Sequence, residues 1–311
     1  MAITITQLRT FVAVEHMGSI KGAAAELVVT QPSVSGAVAA LERELRVTLV
    51  ERRGRGVGLT EAGLAFAPFA VRVLGLLEEG RNAALGAADP DWQELKIAAV
   101  NTTGEYIVPP ILKAFRHRYP RANVRLEVSN RAGVFRRLEL RETDVGIGGS
   151  PPESDAFESI PFLDNELVII ISPEHPLASR REVSFEDLER VTWLLRESGS
   201  GTRIFTENLL EEKRIKPLSR MIIGSNGAIK QSVRAGLGIS LQSRRAVALE
   251  LAMGLLSEVD LAEELPLRRW YALYPKDGTV RPIVETFLRF LTDDAARKAI
   301  ADSLVIPDRI G

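Results

Sequence analysis

Apolar positions near the start of the chain recur with a helical period. Leu8, Phe11 and Val12 form a stripe that stops at Gly18, and Ser19 stands where an N-cap opens a second short helix carrying Ala23, Ala24 and Leu27. Thr30 caps a third, in which Val34, Val38, Leu41 and Leu45 recur at spacings of four, three and four, one buried helix face. Three short helices with tight corners predict a helix-turn-helix unit. The opposite face of the third helix is centred on Pro32, Gly36, Ala39, Ala40 and Arg43, with Ser33 and Ser35 at its flanks. So small and uncharged a face fits close approach to a partner surface, such as a major groove about 12 Å wide. An Ala-rich helix with no partner gives the same pattern, because Ala is the best helix former. Both readings stand at this point.

Residues 49–59 read as two short strands around a Gly-rich turn, a wing. Within residues 1–60, seven Lys and Arg oppose five Glu, and the excess of +2 lies in that wing. Thr60 then caps a long helix in which Ala62, Phe66, Phe69, Val73, Leu76, Gly80 and Ala83 alternate by four and three, a heptad pattern. At 1.5 Å per residue it extends roughly 40 Å, and Pro68 is expected to remove one of its hydrogen bonds and bend it. Its apolar stripe either pairs with a second copy or packs on the following domain. Asp89, Pro90 and Asp91 mark the boundary, beyond which β-rich runs alternate with helical stretches, an α/β pattern. The expected strands are 95–100, 124–128, 145–147, 167–171, 192–195, 221–223, 239–241 and 270–274.

Composition narrows the function classes. The 311 residues favour two or three domains. Forty Lys and Arg against 41 Asp and Glu leave a net charge of -1, so a nucleic-acid partner requires a local basic patch. With no cysteine, disulfide scaffolds, thiolate zinc sites, iron-sulfur clusters and cysteine nucleophiles are excluded. Glu15 and His16 interrupt the apolar stretch that a signal peptide would need. The longest aliphatic run, Leu167 to Ile171, is far short of the ~20 residues of a membrane span. A cytoplasmic protein is therefore expected. His16, His117 and His175 are the only histidines and form neither a Ser-His-Asp order nor a metal-spaced pair, so no catalytic or metal residue, no cofactor and no enzymatic activity are expected.

Several short motifs stand in a specific order: Leu8, Phe11, Gly18-Ser19, Ala23-Ala24, Leu27, Thr30-Gln31-Pro32-Ser33-Val34-Ser35, Leu41-Glu42, Leu45, Leu59-Thr60 and Ala62-Gly63. In these the chain resembles the LysR-type transcriptional regulators, over essentially its whole length. The resemblance implies a winged helix-turn-helix (1–59), a dimerising linker helix (60–89) and an effector-binding α/β domain (90–311). That domain would have two lobes like periplasmic solute-binding proteins, lobe I about 93–161 and 268–311, lobe II about 162–267. It further implies a sequence-specific regulator acting on double-stranded DNA at an imperfect palindrome, as a homodimer or dimer of dimers, with RNA polymerase as a partner and no membrane. By position, Gln31, Pro32, Ser33 and Ser35 would open the recognition helix onto base edges or nearby phosphates, Arg53 and Arg55 in the wing would lie at the adjacent groove, and Lys21 would meet a phosphate. For Ser33, helix-start capping beside Thr30 is the alternative. Three departures from the family pattern are Gly36 in place of a frequent Arg, Arg46 in place of a turn Gly, and Val50 in place of Phe.

In the second half, Asn101-Thr102-Thr103-Gly104 and Gly224-Ser225-Asn226-Gly227 each join a strand to a helix with hydroxyl or amide side chains, the ends where α/β folds bind small ligands. The loop from Glu197 to Arg203 resembles an anion nest. These stretches resemble the branch with CbbR-like regulators of carbon-dioxide fixation and regulators of sulfur metabolism. That branch implies a small anionic metabolite held between the lobes by Thr102, Thr103, Ser200, Gly201, Thr202 and Asn226. Arg203 either adds charge or forms a helix-surface ion pair. A transport-type solute-binding protein would match the second half alone.

Overall fold

The computed structural model describes residues 2–54, 56–88, 94–152, 156–276 and 280–303. They form two units, Met1–Trp92 with Glu139–Glu142, and Gln93–Leu138 with Thr143–Gly311.

The first unit contains α1 (Ile5–Met17), α2 (Ile20–Leu27), α3 (Gln31–Leu45), β1 (Val50–Arg53), β2 (Gly56–Leu59) and α4 (Glu61–Ala88). Thr4 and Gln7 form a capping box on α1, and the hydroxyls of Ser19 and Thr30 cap α2 and α3. Gly18, Val28 and Arg46 end the three helices in the left-handed conformation, so Arg46 adopts the backbone that Gly would take at no steric cost. Val34, Val38 and Leu41 are buried as the stripe predicts, and Leu45 is half-buried. The wing is an antiparallel pair, Val50 opposite Leu59. Glu42 fixes it, its Oε1 accepting from the amides of Leu49 at 2.7 Å and Val50 at 3.1 Å. α4 runs without a break through Pro68. Its heptad stripe divides in two. Phe66 packs on Phe11 with ring centroids 5.5 Å apart, whereas Phe69 and Leu76 are each 62 % exposed.

In the second unit follow β3 (Glu94–Val100), α5 (Asn101–Tyr106), α6 (Val108–Arg118), β4 (Asn123–Ser129), α7 (Arg131–Glu139), β5 (Val145–Gly148) and β6 (Phe157–Asn165). Next come β7 (Leu167–Ile171), β8 (Thr192–Leu195), α8 (Gly201–Glu212), β9 (Ser219–Ile222), α9 (Asn226–Arg234), β10 (Ser240–Ser243), α10 (Arg244–Ala252) and β11 (Ser257–Glu258). β12 (Arg268–Pro275), α11 (Pro282–Leu291) and α12 (Asp294–Asp302) complete it. Lobe I is a five-stranded mixed sheet in the order β4-β3-β5-β12-β6. Its main core lies against α6 and α11, where Phe115 meets Phe287 and Phe290 edge-on at 5.2 and 5.3 Å. Lobe II holds the sheets β10-β7-β11 and β8-β9, tied by a bridge between Trp193 and Ile239.

Two strands were not among the expected ones, β6 and the two-residue β11. β6 carries Pro161 in its interior, which sequence rules count against a strand. It is tolerated because β6 is an edge strand, with a register shift opposite Trp270 and Tyr271. The change of lobe expected at 161/162 therefore falls inside β6. The chain leaves lobe I after Asn165 and returns at Arg268.

Candidate functional site

In the first unit, Gln31, Pro32, Ser33 and Ser35 are all exposed at the start of α3, and Lys21 is exposed on α2. The capping alternative for Ser33 is present in the structure. Its amide donates to Thr30 Oγ1 at 3.3 Å, and the two hydroxyls lie 2.8 Å apart. The Ser33 hydroxyl still faces solvent and has bonding capacity left. Arg53 is exposed and folded back, its Nε donating to Glu51 at 3.1 Å and its Cδ lying where a Cβ on residue 58 would collide. Gly58 makes that path possible. Arg55 lies outside the described residues. Gln31, Ser33, Ser35, Lys21 and Arg53 thus present amide, hydroxyl and cationic groups to solvent, with no core role.

In the second unit the two lobes enclose a cavity of about 410 Å³, counting its open mouth. Thr102 lines it from lobe I, and Ser200, Gly201 and Thr202 line it from lobe II. Ser200 is the N-cap of α8, accepting from the amide of Arg203 at 3.4 Å. The amides of Gly201 and Thr202, in the first turn of that helix, have no intrahelical acceptor and present the positive end of its dipole.

Thr103 and Asn226 do not line the cavity. Thr103 is fully buried, and its hydroxyl is 3.0 Å from the carbonyls of both Val100 and Ile147, which pins α5 to the sheet. Asn226 stands behind the wall as a tie between lobes. Its Nδ2 donates to Thr102 Oγ1 at 3.3 Å and its Oδ1 accepts from Arg196. One turn on, Lys230 reaches Tyr106 at 3.2 Å, so α9 holds α5 at two points. Arg203 forms the helix-surface ion pair, with Glu207 at 2.9 Å.

Sequence reasoning missed the cations of the site, which are Arg131, Arg196 and Arg268; one carboxylate, Glu197, lines the cavity with them. Arg196 is only 3 % exposed and is compensated: Glu197 takes it in a two-point pair at 2.8 and 3.0 Å, and Asn101 accepts from its Nη2 at 2.6 Å while donating to Ser129. Arg131 and Arg268 have no carboxylate within 4.0 Å among the described residues. Arg131 donates to Ser150 O at 3.2 Å and lies over the Phe135 ring. Arg268 lies over the Phe205 ring, 4.9 Å from its centroid. Burial pushes both guanidiniums below their ordinary values, and for Arg268 the neighbouring Arg131 charge adds to this. Trp270, in the same wall, keeps a buried Nε1–H with no acceptor among the described residues. Arg131 was within reach of sequence reasoning, since Ser129-Asn130-Arg131 repeats the strand-to-helix junction of Asn101. No local signal marks Arg268, which begins a strand far along the chain.

The cavity is therefore rich in hydrogen-bond donors, with two partly desolvated cations that have no carboxylate partner among the described residues, a combination that favours an anion. Residues 89–296 match the family described as the LysR substrate binding domain, and residues 5–64 the bacterial regulatory helix-turn-helix protein, lysR family. The chain belongs to the LysR family. Like its relatives, this LysR-type protein is a DNA-binding transcriptional regulator with an effector-binding domain. It is 37% identical over 289 residues to the HTH-type transcriptional activator CmpR of Synechocystis, covering 93% of this chain and 94% of that one. It is 34% identical over 297 residues to the RuBisCO operon transcriptional regulator of Allochromatium vinosum, covering 96% and 98%. Among solved structures, the Synechocystis CcmR regulatory domain in complex with 2-PG superposes with a TM-score of 0.61 at 34% identity, covering 64% of this chain and 96% of that one. These relatives belong to the CbbR-like branch of LysR-type regulators.

Proposed function

We infer that this regulator responds to a small phosphorylated or carboxylated dianion bound in the interlobe cavity. The carrying observation is the pair Arg131 and Arg268, two half-buried cations lining the cavity that no carboxylate among the described residues pairs with. Thr102, Ser200 and the first amides of α8 surround them with further donors. 2-PG, bound by the CcmR regulatory domain, has the right charge and suits a compact cavity. Thr103 and Asn226 act here as supports for Thr102 and Arg196. The role is binding and not catalysis.

At the other end of the chain, Gln31, Pro32, Ser33 and Ser35 read operator DNA in the major groove, with Arg53, Arg55 and Lys21 on phosphates. The exposed apolar stripe of α4 supports self-association through that helix, within the homodimer or dimer of dimers expected for this family, acting with RNA polymerase in the cytoplasm. Effector binding regulates by favouring one arrangement of the lobes over another, which requires unequal affinity for the two.

The deciding experiment is calorimetry of the full chain with phosphoglycolate. Arg268→Met and Arg131→Met should each weaken binding by roughly tenfold or more, the scale of a lost charge-assisted hydrogen bond, with operator binding in the absence of effector unchanged. Wild-type affinity in both variants would remove the anion reading.

A further inference from the structure

Arg131, Gly201 and Arg268 line a second cavity as well as the effector cavity, so the two are neighbours sharing the same uncompensated cations. The second is wider, about 1280 Å³ counting its open mouth. Its remaining walls have a different chemistry. Gly201, Ile204, Phe205 and Asn208 form one stripe along α8, and Leu267, just before β12, and Tyr271, within it, line the cavity with them. Ile204 is 45 % exposed and Leu267 64 % exposed. The Phe205 ring carries the Arg268 guanidinium, and a Cβ on residue 149 would lie 2.8 Å from Arg268 Nη2, so bare glycine backbone lets that group settle between the cavities. Arg269, also in this wall, has its own counter-ion, Asp164 at 3.4 Å.

We propose that this outer cavity is a second ligand site, for an anion with a flat aromatic body, and that its occupant competes with the effector for Arg131 and Arg268. The anionic group replaces hydration that the half-buried guanidiniums have partly lost. The flat body covers Ile204 and Leu267 and finds the aromatic and guanidinium faces on which planar rings stack. The inner cavity, about a third of the volume and walled mostly by hydroxyls, amides, backbone N–H groups and the Arg196–Glu197 pair beside Val100 and Trp270, selects instead a compact anion. Competition follows from charge. A dianion in the inner cavity neutralises the two cations, and the outer ligand then loses its electrostatic gain; by linkage the penalty is mutual. The competition rests on the effector reading above, whereas the second site itself does not.

The test uses 2-naphthoate as the probe, titrated into the full chain by fluorescence and calorimetry, with neutral 2-naphthol as the control. Saturable binding of naphthoate and none of naphthol is expected. The double variant Ile204→Ser/Leu267→Ser should weaken naphthoate roughly tenfold and leave phosphoglycolate affinity at the wild-type value. Saturating phosphoglycolate should weaken naphthoate to a similar degree. The second site is overturned by equal binding of naphthol, by absence of saturable naphthoate binding, or by naphthoate affinity that ignores the double variant. It is also overturned if phosphoglycolate weakens in step with naphthoate in that variant, because the outer cavity is then the mouth of the effector site. If phosphoglycolate binds but naphthoate is indifferent to it, the competition is wrong. If phosphoglycolate fails to bind while naphthoate obeys the variants, the effector reading and the competition fall and the second site stands.

Discussion

Two glycines of the DNA-binding unit have opposite surroundings and separate stability from recognition. A Cβ on Gly63 would collide with the Leu49 carbonyl oxygen, the same oxygen that accepts from the Thr60 amide at 3.0 Å. Backbone offers no easy retreat, so Gly63→Ala should cost about 1–3 kcal/mol of stability by overpacking, read by thermal unfolding. A Cβ on Gly36 meets nothing within 4 Å. Gly36→Ala should therefore stabilise α3 by about 0.5–1 kcal/mol. If the small face of α3 approaches DNA closely, the same variant loses operator affinity; unchanged or improved affinity would favour the plain Ala-rich helix. Residue identity alone could suggest Gly63, through the Ala62-Gly63 motif, but its reason lies in a contact across the wing. The same holds for Arg268, whose lack of a counter-ion depends on what the fold gathers round it.

Elements built from local periodicity were legible, and those depending on sheet position were less so. The stripe of α3 and the caps Ser19 and Thr30 act within a turn or two of the chain, so one sequence window contains both cause and effect. β6 is different: Pro161 is permitted only by its place at the sheet edge, which no window reveals. α8 shows how an element can be read correctly for a partial reason, since the Gly-rich loop before it does open a helix onto the cavity while the charge comes from α7 and β12. At this scale the start of α3 carries the prediction for DNA. Gln31→Ala and Ser33→Ala should each reduce the preference for operator over random DNA by about 1–3 kcal/mol, measured at one salt concentration. Arg53→Ala should weaken both DNAs alike and lower the salt slope by about 0.9 if it meets a phosphate. A preserved operator preference in both α3 variants would move recognition elsewhere.

For the whole molecule, the apolar stripe of α4 is the feature that a lone copy leaves open to water, Phe69 and Leu76 above all. Phe69→Ser with Leu76→Ser should lower the oligomeric state in analytical ultracentrifugation while the wing and α1 to α3 remain folded by circular dichroism. An unchanged sedimentation coefficient would assign the stripe to another partner. The path of the chain through the effector domain has a different consequence. Asn165 and Arg268, the points where the chain leaves and re-enters lobe I, are paired across β6 and β12. Seen this way, residues 166–267 are the loop of a hairpin, with a domain's worth of structure in place of a tight turn. Such an arrangement is portable. Lobe II can be exchanged between relatives as a cassette, cut and rejoined at two neighbouring positions, and a short Gly-containing turn in its place should leave the β6–β12 ladder closed.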